Sequence, residues 1–293
     1  MTPLRFALIG SPVAHSKSPS MHGAAYAAFD LPHSYEKLET SEADVAARIE
    51  SLRQGDFAGL NVTVPHKLRA LALADEVDES ARLAGAANTL ARRDGRVVAY
   101  NTDMPALALE LARLSGSKEH FRGTTAIVLG TGGAARAAIT ALATELHVAR
   151  IVVRARAFED VARTKAFLDE MTRALESSGK QGPQLVAEPL AAPEREASDL
   201  SAIVQTTSCG MTGAAPGEVV SDAIRWDSVP SSAVALDAVY APLETPFLVC
   251  AKARGLRSDH GLGMLARQGA LAFEHWLGLP APYEIMLGAI APK

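Results

Sequence analysis

At 293 residues the chain exceeds what one hydrophobic core ordinarily serves, so two domains of about 100–200 residues each are expected. An apolar content of 48% excludes a largely disordered chain. A formal charge of −4, without any block of five like charges, excludes the electrostatic footprint of a nucleic-acid or membrane-surface binder. Cys209 and Cys250 lie far apart and the eight histidines lack metal-ligand spacing, so neither a disulfide framework nor a metal site is expected. The apolar stretch Leu4–Ile9 is too short for a signal peptide, and no run approaches the roughly 18 residues of a membrane span. A reducing, cytoplasmic setting fits these features.

Short β-branched runs alternate with longer Ala/Leu-rich runs, which predicts an α/β fold with a mostly parallel sheet. Leu4–Ile9 reads as the first strand, and Ser18-Pro19 opens a helix with serine as N-cap and proline at the first helical position. Strands follow at Ser34–Leu38, Gly59–Thr63, Ala87–Ala91 and Val97–Tyr100, the last two joined by a hairpin turn at Arg93-Asp94-Gly95. A helix runs from about Asp103 to Leu114, with Leu107, Leu111 and Leu114 at helical spacing. Beyond a polar break at Ser115–Gly123, a second series begins: strand Thr125–Leu129, a glycine turn, helix Ala134–Leu146, strand Ile151–Val153 and a long helix over Phe158–Glu176. Ser177–Pro183 reads as a surface loop. Strands are expected near Leu185, Ile203 and Val234, and closing helices at Pro246–Arg254 and Met264–Trp276.

The turn Gly130-Thr131-Gly132-Gly133-Ala134, between an apolar strand and an Ala-rich helix, is the arrangement a nucleotide pyrophosphate requires. Glycines let the backbone turn tightly and approach the phosphate, while free N–H groups and the helix dipole stabilise negative charge. The next strand ends in Arg154-Ala155-Arg156 with no carboxylate before Glu159. An acidic residue there would receive a ribose 2′-hydroxyl, whereas two guanidiniums suit a 2′-phosphate, so NADP is expected ahead of NAD.

The N-terminal half carries polar residues at unusual places. In Asn61-Val62-Thr63-Val64-Pro65-His66-Lys67 a strand with alternate polar residues delivers a lysine into the first turn of a proline-initiated helix, where the dipole disfavours it. Asp103 opens a helix, and an N-cap aspartate would look the same. Taken with Ser16-Lys17-Ser18-Pro19, Ala87-Asn88-Thr89-Leu90, Asn101-Thr102-Asp103 and Gly261-Leu262-Gly263-Met264-Leu265, these segments make the chain resemble the shikimate dehydrogenase family over nearly its whole length.

That resemblance implies an α/β substrate-binding and catalytic domain over residues 1–103 plus 264–293, and a Rossmann-type NADP-binding domain over 104–263, with the active site in a cleft between them. It implies NADP-dependent, reversible reduction of 3-dehydroshikimate to shikimate. Lys67 and Asp103 would be the catalytic pair, and Ser16, Ser18, Asn61, Thr63, Asn88, Tyr240 and Gln268 would hold the substrate. Thr207, Gly261 and Met264 would join Gly130, Gly132, Gly133, Ala134, Arg154 and Arg156 around the cofactor. The residue types suit the chemistry: a hydroxyl-rich acid needs many neutral donors and acceptors, and hydride delivery to a ketone leaves an alkoxide that needs a proton or a cation.

Several positions depart from the family pattern. Ala155-Arg156-Ala157 keeps only the arginine of an expected Asn-Arg-Thr, Gln205-Thr206-Thr207-Ser208 stands for Asn-Ala-Thr-Ser, and Met104 replaces a glycine. His260 stands where an aspartate is usual, and the region of about residues 165–192 reads as a surface insertion. These departures leave three alternatives: an NAD-dependent quinate/shikimate dehydrogenase, an aminoshikimate dehydrogenase, and a non-catalytic dinucleotide-sensing module. The oligomeric state stands between monomer and homodimer.

Overall fold

The computed structural model describes residues 2–176, 182–191 and 193–292. Residues 177–181, most of the expected surface loop, lie outside the described residues, as does residue 192 at the end of the expected insertion. The chain forms two compact units, Met1–Ala106 with Gly263–Lys293, and Leu107–Leu262. Among the described residues no helix is long and apolar enough to cross a membrane.

The first unit holds β1 (Arg5–Gly10), β2 (Ser34–Glu39), β3 (Gly59–Val62), β4 (Glu76–Val77), β5 (Thr89–Arg93) and β6 (Arg96–Tyr100), in the spatial order β2-β1-β3-β5-β6-β4. β1 pairs in parallel with β2 and β3, whereas β5 is antiparallel to both β3 and β6. The expected hairpin turn joins β5 to β6, with Asp94 and Gly95 both at positive φ (48° and 78°), as a two-residue connection of this hand requires.

Side chains alternate across the sheet, which divides the apolar residues between two faces. Ala7, Ile9, Leu60, Val62 and Leu90 pack with Val45, Ile49 and Leu52 of the helix Val45–Gln54. The sequence reading had no helix there, although those three residues recur at i, i+4 and i+7. On the other face Phe6 stacks on Trp276, with ring centroids 4.8 Å apart, and Tyr26 and Phe273 extend the aromatic layer. Trp276 donates its indole N–H to the Leu90 carbonyl at 3.0 Å, and the ring lies so close to Gly59 that a Cβ there would collide with it. This layer ties the helix Leu262–Leu277 to the sheet.

The helix expected at Ser18-Pro19 spans Ser18–Ala28, but serine is not its cap in the sense predicted. Ser18 is already inside the helix, Lys17 occupies the cap position, and the Ser18 N–H donates to the Ser16 hydroxyl at 3.2 Å. The first turn is therefore capped from two residues upstream.

The second unit holds β7 (Thr125–Leu129), β8 (Arg150–Arg154), β9 (Gln184–Glu188), β10 (Leu200–Gln205), β11 (Val234–Asp237) and β12 (Arg257–Asp259). All are parallel, in the order β12-β11-β10-β7-β8-β9, the doubly wound arrangement whose direction of winding reverses between β7 and β10. Ile127, Leu129, Ile203 and Ala235 pack with Phe247 and Leu248 of the helix Pro246–Ala253 in its core. The expected long helix over Phe158–Glu176 is divided: a single 3-10 turn covers Arg156–Glu159, and the helix proper is Val161–Glu176. Asp160 makes the break by accepting the N–H groups of Ala162 and Arg163, at 2.8 and 3.1 Å.

Candidate active site

β3 ends at Val62, and the following turn seats itself against β1, where the Ser11 N–H donates to the Val64 carbonyl at 3.0 Å. Gly10 permits that approach, since a Cβ there would run into the Thr63 side chain. Thr63 is anchored through its N–H to the Ile9 carbonyl (2.9 Å), and His66 is buried with Nε2 2.7 Å from the Thr40 carbonyl. The helix Lys67–Leu73 starts immediately afterwards and presents Lys67 at its first position.

The Lys67 ammonium donates to the Asp103 carboxylate at 2.6 Å, with the two side chains only 15% and 7% exposed. Asp103 is free to do this because the cap of its helix is supplied elsewhere: Asn101 Oδ1 accepts the Met104 N–H at 3.0 Å. One of the three ammonium hydrogens serves Asp103, leaving two for an oxygen bound next to them.

A buried amide and hydroxyl cluster adjoins this pair through the main chain. The Ala87 N–H donates to the Lys67 carbonyl (3.0 Å), and the Thr102 N–H donates to Asn88 Oδ1 (2.8 Å), so Asn88 is held by the residue before Asp103 and follows the residue bonded to the Lys67 main chain. Asn88 Nδ2 donates to Thr102 Oγ1 (2.9 Å) and Gln268 Oε1 (3.3 Å). Gln268 Nε2 donates in turn to the Leu265 carbonyl at 2.8 Å. Asn61 Nδ2 donates to the Asn88 carbonyl (3.3 Å) and Thr89 Oγ1 (3.1 Å), and Ser16 bonds Ser18 at 3.1 Å. The structure thus links Asn61, Asn88 and Gln268 directly and sets Lys67 and Asp103 against them. Met264 is buried near the start of the helix Leu262–Leu277. Thr89, Thr102 and Asn101 belong to the same cluster, and the sequence reading assigned them no role. The signal available for two of them was membership of Asn101-Thr102-Asp103.

In the second unit the glycine turn stands at the end of β7, at the reversal of winding. Gly130 has φ +117°, and a Cβ there would lie 2.9 Å from Thr206 Oγ1 and 3.0 Å from Thr207 Cγ2, so glycine is required both by conformation and by space. The helix Gly133–Thr144 follows with Gly132 as its cap. The first-turn amides of Gly133, Ala134 and Ala135 have no preceding helical turn to bond, which leaves N–H groups and the positive end of the dipole for an anion. These residues fit a dinucleotide pyrophosphate.

The two arginines after β8 part company. Arg154 is 3% exposed, and both its terminal nitrogens bond the Glu196 carboxylate at 2.9 and 2.8 Å. Its Nε donates to Glu188 at 3.0 Å, and Nη1 also bonds the Ala223 carbonyl at 2.8 Å. The expectation that Arg154 receives a 2′-phosphate is therefore corrected: its guanidinium is consumed by a buried ion-pair network. Arg156 begins the 3-10 turn after the strand, is exposed, and has no ion pair among the described residues.

β10 and β11 end beside the glycine turn in an ordered pair of loops. Gln205 donates to the Thr207 and Cys209 carbonyls, each at 3.2 Å, and accepts the Thr207 N–H. Asp237 accepts from Thr245 Oγ1 (2.6 Å), from the Val239 N–H (2.9 Å) and from Gln205 (3.3 Å), while burial pushes its carboxyl up to about 6. Tyr240 follows, partly buried, its phenol pushed up by desolvation. Gly261 donates its N–H to the Val239 carbonyl at 3.0 Å, and a Cβ there would collide with Ala238. Among the described residues no group of His, Cys, Asp and Glu is arranged to hold a metal ion.

Comparison with known proteins identifies the family. Residues 8–90 match the model of the shikimate dehydrogenase substrate binding domain, and residues 261–290 that of the shikimate 5′-dehydrogenase C-terminal domain. The chain is 39% identical over 283 residues to the shikimate dehydrogenase (NADP(+)) of Methylobacterium radiotolerans, covering 96% of this chain and 93% of that protein. It is 37% identical to the enzyme of the same name from Geobacillus kaustophilus over 93% of this chain and 92% of the relative. Among solved structures, shikimate 5-dehydrogenase from Thermus thermophilus in complex with NADP(H) and shikimate superposes with a TM-score of 0.77 at 36% identity, covering 98% of each chain. With two family models matched at its ends and relatives of this identity along nearly its full length, the chain belongs to the shikimate dehydrogenase family.

Proposed function

We propose that this chain interconverts 3-dehydroshikimate and shikimate with NADP as hydride carrier, and that Lys67 and Asp103 are its catalytic pair. The observation that carries the assignment of residues is the 2.6 Å Lys67–Asp103 contact, held against the Asn61–Asn88–Gln268 amides. When bound, the cofactor supplies the hydride in one direction and accepts it in the other. Lys67 aims its two remaining N–H groups at the oxygen on which negative charge develops, and passes a proton to it. Asp103 holds the ammonium in place by a charge-assisted hydrogen bond. Ser16, Ser18, Asn61, Thr63, Asn88, Tyr240 and Gln268 bind the carboxylate and hydroxyls. Gly130, Gly132, Gly133 and Ala134 would hold the pyrophosphate, Arg156 the 2′-phosphate, and Thr207, Gly261 and Met264 would line the nicotinamide. The reading carries with it a cytoplasmic enzyme, monomeric or homodimeric.

The test is absorbance at the nicotinamide band with purified protein, shikimate, and NADP or NAD in parallel, then quinate in place of shikimate. Reduction of NADP with shikimate is expected. Reduction mainly of NAD, or only with quinate, would overturn the cofactor or substrate assignment. No reduction with any pairing would favour a ligand sensor. Lys67→Ala is expected to lower kcat by roughly 10²–10⁴-fold, the range for a general acid–base group, with KM for shikimate little changed. Retained turnover would remove Lys67 from the mechanism.

A further inference from the structure

One side chain reaches the polar cluster of the first unit from outside every motif that defines it. Tyr35 lies on β2, and the strand register places Tyr35 and Gly59 opposite Phe6, and Asn61 opposite Leu8. Tyr35 and Asn61 therefore share a sheet face, with β1 between them, and the long tyrosine side chain spans the gap. Its phenol donates to Asn61 Oδ1 at 2.7 Å. The Ser18 side chain lies next to the same phenol, so one hydroxyl adjoins two residues assigned above to substrate binding.

The hydrogen-bond count around Asn61 has a chemical consequence. A side-chain amide offers two donors and two acceptor sites. Both Nδ2 hydrogens of Asn61 are taken, by the Asn88 carbonyl and Thr89 Oγ1, and one Oδ1 site is taken by Tyr35. At most one acceptor site remains, and the His22 imidazole is also set against this amide. We propose that Tyr35 is a positioning residue that fixes the Asn61 amide with its oxygen toward the phenol, so that the site selects a substrate hydroxyl able to donate to Asn61. The proposal rests on the reading of this site as the shikimate site.

The surroundings suit a fixed donor. His22 stacks on the Tyr35 ring with centroids 4.4 Å apart and planes within 6°, and Trp276 lies at 6.3 Å, which holds the ring in one orientation. Burial pushes the phenol well above the ordinary tyrosine range, so it stays protonated. Burial also pushes His22 down to about 3, so the ring stacked on the phenol is neutral. Tyr35→Phe keeps the ring in its stack and removes only the hydroxyl, freeing the amide to turn over.

The experiment is steady-state kinetics of Tyr35→Phe, Asn61→Ala and the double variant beside the wild-type protein. Tyr35→Phe is expected to raise KM for shikimate roughly five- to twenty-fold, the loss of about one buried hydrogen bond. KM for NADP is expected to stay within about twofold, a split that general damage to the fold would not leave. Asn61→Ala alone is expected to raise KM for shikimate at least as much, and adding Tyr35→Phe to it should change little, because the two act through one contact. An unchanged KM in Tyr35→Phe, or full additivity in the double variant, overturns the proposal. Should Tyr35→Phe fail to fold, an unchanged KM for shikimate in Asn61→Ala overturns it just as well. Failure of the wild-type protein to turn over shikimate would instead count against the substrate assignment itself.

Discussion

Arg154 and Arg156 stand two residues apart, carry the same charge, and do different things. The Arg154 guanidinium is locked to Glu196, itself 2% exposed, so removing it strands a carboxylate away from water. Arg154→Ala is expected to cost about 3–5 kcal/mol of stability, read as a lower unfolding midpoint in denaturant. Arg156→Ala should leave that midpoint unchanged and raise KM for NADP, but not for NAD, by roughly 10- to 100-fold, as loss of a charge-assisted hydrogen bond implies. Equal effects on both cofactors would remove Arg156 from the 2′-phosphate. A rule about strand-end arginines treats the two alike. What separates them is that the strand ends at Arg154, still opposite Glu188 on β9, whereas Arg156 has left the ladder. Nothing in the local sequence announces the carboxylate of Glu196, 42 residues further on. Asp103 shows the same limit from the other side. An N-cap and a lysine partner make the same demand on residue type, and only the Asn101–Met104 bond leaves the carboxylate for Lys67.

At the scale of elements, the glycine turn of β7 was legible because its requirement is local: a strand, a backbone conformation open to glycine, and a helix start, all within a dozen residues. Its fit to the neighbouring loop was not. Thr206 and Thr207 come from the end of β10, and their contact with Gly130 arises from the parallel pairing of β7 with β10. Gly130→Ala is expected to cost about 1–3 kcal/mol through the strained φ. It should also raise KM for NADP by at least about tenfold, because the turn must shift away from the pyrophosphate. Equilibrium binding of shikimate should be retained; its loss would show that the substitution damages more than the turn. The helix Val45–Gln54 escaped the sequence reading, though its apolar spacing was present, because its polar remainder weakens the signal in so short a segment.

For the whole molecule, the clearest stability handle is Asp237. Burial raises its carboxyl from 3.8 to about 6, so the folded protein holds this proton more tightly than the unfolded chain. The contribution to stability is complete below about pH 4 and is lost as pH rises through about 6. That amounts to about 3 kcal/mol at most, from 1.36 kcal/mol per pKa unit. Asp237→Asn keeps an acceptor for the Val239 N–H, presents an NH2 from which the Thr245 hydroxyl can accept, and cannot ionise, so its unfolding midpoint should fall less steeply between pH 4 and pH 6 than that of the wild-type protein. Parallel profiles would contradict the shifted carboxyl.

The sequence by itself determined the α/β class, the doubly wound nucleotide half, the glycine turn and the family. Each is written in short-range patterns: residue alternation, glycine at the strand–helix junction, and motifs of three to seven residues. The tertiary structure alone decided which polar side chains are free and which are consumed. Asn61 donates to a strand two places away in chain order and accepts from Tyr35 across β1; Arg154 closes on Glu196; Gln205 closes on Asp237. Hydrogen-bonding capacity is finite, and whether it is spent inside the protein or left for a ligand depends on partners that only folding brings within about 3 Å.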